Sequence, residues 1–289
     1  MDAIRLDAIP QVLAYTFLVL MMFSIGLEVK LREIATDLRN YSLMGRALLA
    51  NLILAPIAAF AIVKLFHLNT DVAVGFLLLA VAPGAVFATN FTTKAQGGKS
   101  FAAALLFILV ALSLVYAPVI ANLILPAEMQ VSLPYGPLVV KILLLLVLPM
   151  FAGLACKRWM EKLANVLLKP ASLVAALAFV AFMVMMLSSG SQARSAIGGS
   201  AVVAMLVFIA AAMLIGWLLG GPDRGNRQVM ATGTSMRNVA VALLLAQSLG
   251  SAPVQFVVAA FFSLMVPCNL LLTIYETVRN KRANKASKR

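Results

Sequence analysis

Ionisable and metal-binding residues are scarce in this chain. It has two cysteines, one histidine and ten acidic residues among 289, and only 11% of its residues are charged. Cys156 and Cys268 lie within or at the end of apolar runs, so neither a disulfide framework nor a metal cluster is indicated. A soluble domain carries about 25% charged residues, whereas this chain is 63% hydrophobic with a mean hydropathy of +1.02. The composition therefore excludes a soluble globular domain and indicates a protein embedded in a lipid bilayer.

Motifs for chemistry are also missing. The sequence contains no nucleophile–base pair, metal motif or phosphate-binding loop, so it predicts neither an enzyme nor a bound cofactor. None of the acidic residues lies deep in an apolar run, although proton-driven carriers usually relay protons through intramembrane Asp, Glu or His. A uniporter, an exchanger and a carrier driven by the membrane potential stay open.

Long apolar runs dominate what the sequence does contain. A membrane helix needs about 20 mostly apolar residues, and nine candidate runs meet this requirement. They cover residues 10–28, 41–64, 72–97, 100–125, 136–156, 170–189, 197–220, 226–249 and 254–276. We therefore predict an all-α integral membrane protein with nine transmembrane helices, forming a single domain over residues 1–289.

The basic residues are distributed unevenly between the two sides of these spans. With nine crossings, 17 of the 23 lysines and arginines fall on the side of the C-terminus and three on the other side, while three lie within spans. Positive charge accumulates on the cytoplasmic side of membrane proteins. We predict an external N-terminus and a cytoplasmic C-terminus with the basic tail 277–289. This distribution explains the positive net charge by the orientation of the protein in the membrane, and it argues against a nucleic-acid partner.

Two short polar stretches interrupt long apolar runs, at residues 82–90 in the third span and 231–238 in the eighth. Paired interrupted helices at corresponding positions of two halves are typical of the binding site of a secondary transporter. The pattern predicts two repeats, 10–125 and 136–276, with the second inverted because a full repeat has an odd number of helices. The polar side chains expected to line the site, or to satisfy backbone groups freed by the breaks, are Thr89, Asn90, Thr234, Ser235 and Asn238.

Several short motifs resemble the bile acid:sodium symporter family in order and spacing along nearly the whole chain. They are Met22-Phe23-Ser24-Ile25-Gly26-Leu27, Ala82-Pro83-Gly84 followed by Thr89-Asn90, Ile215-Gly216-Trp217-Leu218-Leu219-Gly220, and Met236 with Asn238. The resemblance is to the nine-helix form, which lacks the first helix of ten-helix members. It implies a panel domain of helices 1, 5 and 6 and a core domain of helices 2, 3, 4, 7, 8 and 9, with crossed discontinuous helices. It also implies alternating-access transport of an organic anion across the inner membrane.

The family's sodium sites are where this chain departs from the resemblance. The positions that match the family's ion ligands are Thr89, Asn90, Asn51, Ala103, Phe107, Gly233 and Arg237. The family's glutamate falls on Gly233 and its glutamine on Arg237, so an anionic ligand is lost and a fixed cation is gained. A unit charge about 4 Å from another costs about 4 kcal/mol at an effective dielectric of about 20, or about three orders of magnitude in affinity. We therefore expect degenerate sodium sites.

Arg237 is the residue expected to contact the transported anion. A charged side chain at membrane depth is rare and usually faces a cavity or an ion pathway. Arginine stays protonated and offers a bidentate fork to a carboxylate or phosphate. Asn51, in the second span, is expected to contribute an amide to the same substrate site. The alternative role for Arg237 is to cap backbone carbonyls.

Three other functions stay open at the level of sequence. The first is a sodium-coupled symporter with rearranged ion ligands, and the second is a non-transporting sensor or scaffold on a carrier fold, since fold does not fix function. The third is a metalloid-oxyanion permease on a related fold. Such a permease is expected to have a cysteine in a crossover, whereas Cys156 and Cys268 lie outside both crossovers.

Overall fold

The computed structural model describes residues 9–28, 40–84, 99–125, 135–189 and 197–286, and the secondary-structure elements of these residues are helices. The helices are α1 (Ile9–Glu28), α2 (Tyr41–Leu65), α3 (Thr70–Ala80), α4 (Lys99–Ile124), α5 (Gly136–Trp159), α6 (Glu161–Ser189), α7 (Gly199–Leu219), α8 (Arg224–Ser235), α9 (Val239–Ser248) and α10 (Ala252–Ala286).

Seven of these helices are long and apolar enough to cross a bilayer, namely α1, α2, α4, α5, α6, α7 and α10. The finding supports the predicted all-α integral membrane protein. The count of nine transmembrane helices and the inverted repeats stay predictions, because the third predicted span runs into residues 85–98, which lie outside the described part of the chain.

The eighth predicted span is interrupted in the structure. Helix α8 ends at Ser235 and α9 begins at Val239. Helix α3 likewise ends at Ala80, and the chain continues without helical structure to Gly84. Helices α3 and α8, of 11 and 12 residues, extend about 17 Å at about 1.5 Å per residue, roughly half of a hydrocarbon core of about 30 Å. A helix of this length that starts at one membrane surface would end near the middle of the bilayer.

Two helices extend beyond the spans predicted from hydropathy. Helix α6 begins at Glu161 rather than at 170, and α10 continues past 276 to Ala286, so the first part of the basic tail is helical. Hydropathy detects only the apolar part of a helix, and both extensions carry charged residues. Because α10 continues, Glu276 lies inside a helix with its side chain buried, 3.9 Å from Arg279.

The helices pack as two groups. Helix α1 packs chiefly against α5 and α6, while α2, α3, α4, α7, α8, α9 and α10 surround the two interruptions. The division into a panel and a core that the family resemblance implies stays a prediction. The groups meet partly through an aromatic contact, in which the rings of Phe179 on α6 and Phe262 on α10 have centroids 4.6 Å apart.

Gly216 allows α7 to approach the backbone of α8 closely. A Cβ at this position would overlap the backbone of Met230 and lie 2.8 Å from the Cα of Ala231. We expect Gly216→Ala to lower the free energy of unfolding by about 1–3 kcal/mol, because overpacking forces a backbone shift. The thermal midpoint of the purified protein in detergent measures the effect. Gly45→Ala is the matched control, since a Cβ on this helical glycine would meet nothing within 4 Å. Equal midpoints for the two variants would contradict the expectation.

Candidate functional site

The two interrupted segments lie side by side and antiparallel. Pro83 and Arg237 form an antiparallel bridge, and the backbone N–H of Asn238 donates to the carbonyl of Ala82 at 2.8 Å. Gly84 has a φ of +85°, and a Cβ there would lie 2.8 Å from the backbone nitrogen of Val110 on α4. Backbone groups within a bilayer need protein partners. The two segments supply some of those partners to each other, and this replaces hydrogen bonds that a continuous helix would provide.

Arg237 lies at this crossing with its side chain completely buried. Its Nη1 donates to the backbone carbonyl of Asn51 at 3.5 Å, and its Cζ lies 5.5 Å from the ring centroid of Phe208. The Nε and Nη2 atoms have no hydrogen-bond partner, and no carboxylate forms an ion pair with the guanidinium, in the part of the chain that the structure describes. Nε and Nη2 form one edge of the guanidinium, so a complete donor fork is unpaired.

Pro56 explains why Arg237 meets a free carbonyl on α2. Residues Leu49–Leu54 are π-helical, and the N–H of Ala55 donates to the carbonyl of Ala50. Pro56 has no N–H, so the carbonyls of Asn51 and Leu52, which precede it by five and four residues, lose the partner that a π- or α-helix would provide. Arg237 donates to the first of these carbonyls and the hydroxyl of Tyr116 to the second. The carbonyl-capping role is therefore present for Nη1, while the fork of Nε and Nη2 is not engaged.

Tyr116→Phe tests whether this capping stabilises the site. The substitution leaves the partly buried carbonyl of Leu52 without its hydroxyl donor, and a buried group left unsatisfied costs about 1–3 kcal/mol. We expect the thermal midpoint of Tyr116→Phe to fall by an amount that corresponds to this loss of free energy. Tyr41→Phe is the control, because Tyr41 begins the same helix α2 and its side chain is 80% exposed. A Tyr116→Phe midpoint equal to that of Tyr41→Phe would refute the capping role.

Asn51 and the threonines of α8 contribute further buried polar atoms. Asn51 Nδ2 donates to the carbonyl of Ala47 at 3.0 Å and to Thr234 Oγ1 at 3.3 Å. Its Oδ1 is buried and has no partner among the described residues, and the same holds for Oγ1 of Thr232. The region thus presents an unpaired donor edge and two unpaired acceptor oxygens.

Ser235 and Asn238, both expected to line the site, are engaged in holding the crossing together. Ser235 Oγ donates to Asn269 Oδ1 at 2.9 Å. Asn238 Nδ2 donates to Ser113 Oγ at 3.1 Å, and its Oδ1 accepts from the N–H of Val241 at 3.3 Å, which caps α9. The sequence interpretation missed Ser113 and Asn269. The signal that could have found them is a polar side chain deep inside a mostly apolar span.

The described positions that match the family's sodium ligands supply no carboxylate. A Cβ on Gly233 would lie 3.6 Å from Leu105 Cδ2 and 3.8 Å from Leu106 Cδ2, so this position faces an apolar part of α4. Phe107 is half-buried and packs against the hydrophobic core. Sodium is a hard cation that prefers oxygen ligands. Among the matched positions that the structure describes, Asn51 offers a side-chain oxygen, whereas Gly233, Phe107 and Arg237 offer none. The degenerate sodium sites stay a prediction. Thr89, Asn90 and the side chain of Ala103 lie outside the described residues.

Comparisons with known proteins identify a family of transporters. The model of the Sodium Bile acid symporter family matches residues 15–197. The chain is 26% identical over 278 residues to YocS of Bacillus subtilis (strain 168), named an uncharacterized sodium-dependent transporter, covering 93% of this chain and 83% of YocS. It is 21% identical over 230 residues to the probable sodium/metabolite cotransporter BASS2, chloroplastic, of Oryza sativa subsp. japonica, covering 78% of this chain and 54% of BASS2. The family match covers more than half of the chain, and the chain therefore belongs to the sodium bile acid symporter family.

Proposed function

We propose that this membrane transporter carries an organic anion by alternating access and that it does so without sodium. The anion is a bile-acid-like molecule, a sterol conjugate or a small carboxylate. Its carboxylate binds the Nε and Nη2 edge of Arg237. The observation that carries the proposal is this buried donor fork, which has no partner among the described residues.

The unpaired fork supports an anionic ligand on energetic grounds. A buried charge is costly unless it is paired and hydrogen-bonded, and a hydrogen bond to a charged group contributes about 1.5–3 kcal/mol. A carboxylate accepts two parallel bonds from the planar guanidinium, which adds geometric specificity to the affinity. The bound anion would neutralise Arg237 and occupy both of its free donors.

An aromatic cluster beside Arg237 supports an anion with an apolar body. The ring of Phe208, which faces the guanidinium, lies 5.1 Å from the ring of Phe76 and 5.9 Å from that of Phe261 by centroid. Binding sites for small organic molecules are mostly apolar, with a few placed polar groups that fix orientation. In the proposed site Arg237 holds the carboxylate, while Asn51 and Thr232 offer acceptor oxygens to any hydroxyl on the ligand.

The burial of Arg237 supports a transport cycle that opens the crossing. Its side chain has no solvent-exposed surface, so an anion can reach it only after movement of the helices that cover it. We propose that the core group moves against the α1, α5 and α6 panel to open the site to one side and then to the other. The single domain of residues 1–289 would lie in the inner membrane with its N-terminus outside and its C-terminus in the cytoplasm.

A sodium-coupled symporter with rearranged ligands is the second candidate. Two observations favour it: YocS and BASS2 carry sodium in their names, and Asn51 Oδ1 and Thr232 Oγ1 are buried oxygens without a partner among the described residues. Against it stands the guanidinium of Arg237, because a cation near these oxygens would be repelled by it.

Thermal stabilisation by a panel of organic anions tests the proposal. A ligand that binds only the native state raises the midpoint by mass action. The purified protein is scanned with each anion in sodium chloride and in potassium chloride of equal concentration. We expect at least one carboxylate to raise the midpoint equally in the two salts. A shift that requires sodium would support the second candidate. No shift from any anion, together with no uptake in proteoliposomes, would refute transport of this substrate class.

A further inference from the structure

We infer that Arg237 is a built-in cation, held covalently where two half-helices end, that stabilises the crossing without a bound metal ion. This inference deepens the part of the proposed function that dispenses with sodium. It does not depend on what the transporter carries.

The carboxyl ends of two helices meet at Arg237. Helix α8 ends at Ser235, two residues before Arg237. Helix α3 ends at Ala80, and Pro83, three residues further, forms the antiparallel bridge with Arg237. Each helix carboxyl end has a partial charge of about −0.5 from its unpaired carbonyls. In interrupted transporter helices, such ends together with unwound carbonyls are where cations bind. Here the chain itself brings a cation into the crossing, since the backbone of Arg237 lies where the two helices end.

Two further groups attract the same cation. The carbonyl of Asn51, freed by Pro56, accepts from Arg237 Nη1 at 3.5 Å. The face of the Phe208 ring lies 5.5 Å from the guanidinium carbon, and an aromatic face attracts cations through its quadrupole. The amino end of α9 also begins nearby and opposes a cation, although the Asn238 side chain satisfies one of its free N–H groups.

The sign of the stability change separates this role from that of a pure ligand-binding residue. A charge that is kept buried only to bind substrate costs stability, so its removal would stabilise the resting protein. A charge that compensates the negative partial charges of two helix ends and a freed carbonyl stabilises the protein, so its removal would destabilise the protein. A site emptied in this way would then accept a cation from solution.

The experiment compares variants of the full-length purified protein without any organic anion. We expect Arg237→Ala to lower the thermal midpoint by roughly 5–10 °C. Guanidinium chloride at a low, non-denaturing concentration should restore much of that loss, because the guanidinium ion has the shape and charge of the deleted group. Arg237→Lys should stay closer to the wild type, because it keeps the charge. Arg224→Ala is the control, since Arg224 is exposed at the start of α8. The thermal midpoint of Arg224→Ala should equal that of the wild type, and guanidinium should not raise it.

Several results would overturn the inference. One is an Arg237→Ala midpoint equal to or above that of the wild type, and another is a guanidinium effect of the same size on the wild type. If Arg237→Ala cannot be purified, Arg237→Gln and Arg237→Lys decide the matter, and a glutamine variant as stable as the lysine variant would refute a role for charge. These scans contain no organic anion, so a failure of the proposed transport would leave them unaffected.

Discussion

Arg237→Gln is expected to reduce saturable uptake of the transported anion by about two to three orders of magnitude. Truncating one partner of a buried, hydrogen-bonded charge pair costs about 2–5 kcal/mol, and each 1.4 kcal/mol is about tenfold in affinity. The unpaired Nε and Nη2 of Arg237 are the donors that this substitution removes. Uptake of a labelled carboxylate, chosen from the anions that stabilise the wild type, into proteoliposomes measures the loss.

Matched variants separate the loss of the fork from a loss of folded protein. Arg224→Gln removes an exposed arginine from the start of the same helix α8 and should leave uptake unchanged. Arg237→Lys keeps the charge but cannot make two parallel bonds, because an ammonium is a point charge, so its uptake should fall between the wild type and the glutamine variant. Unchanged uptake by a folded Arg237→Gln protein would rule out Arg237 as the carboxylate ligand.

The interruption of the eighth span could be predicted from the sequence, whereas the partners of Arg237 could not. Glycine and hydroxyl residues before Met236 weaken a helix in an apolar run, and the break occurs there. Arg237 and Asn51, however, are 186 residues apart in the chain, and their hydrogen bond depends on how α2 packs against the crossing. Tertiary packing, not local pattern, selects such partners.

Pro56 allows a prediction that the sequence analysis did not make. A proline inside a helix frees the carbonyl four residues before it, so a free acceptor near Leu52 follows from the sequence alone. That Tyr116 donates to it does not follow, because Tyr116 lies 64 residues away on α4. A rule of this kind identifies the group that needs a partner, and the fold decides which side chain provides it.

Ser235 and Asn238 illustrate a limit of a different kind. A polar side chain in a membrane interior either faces a ligand or satisfies protein groups, and composition does not separate the two. In the structure, Ser235 bonds to Asn269 and Asn238 bonds to Ser113 while capping α9. Their hydrogen bonds are largely internal, and this leaves Arg237 as the predicted site residue with the clearest free binding capacity.

The second large effect is expected from restoring the family's two ion-site residues together. Gly233→Glu with Arg237→Gln adds a carboxylate and removes the opposing cation. Among the described residues, a Cβ on Gly233 would meet Leu105 and Leu106 at ordinary van der Waals distance, so the first carbon of a side chain fits there without a backbone shift. We expect sodium chloride, but not potassium chloride, to stabilise this double variant. A ligand at about 100 times its Kd contributes about 2.7 kcal/mol, or a midpoint shift of roughly 5–10 °C.

The single variant Gly233→Glu isolates the effect of the arginine. It carries the new carboxylate four residues before Arg237, and the guanidinium can neutralise that carboxylate itself, so sodium should cause no specific shift. The wild type should likewise respond equally to both salts. Sodium-specific stabilisation of the wild type would show that its oxygens already bind the ion in the presence of Arg237, and the sodium-coupled alternative would then replace the proposed function. If only the double variant responds, Arg237 is what excludes sodium, because the single variant differs from it only in retaining that arginine.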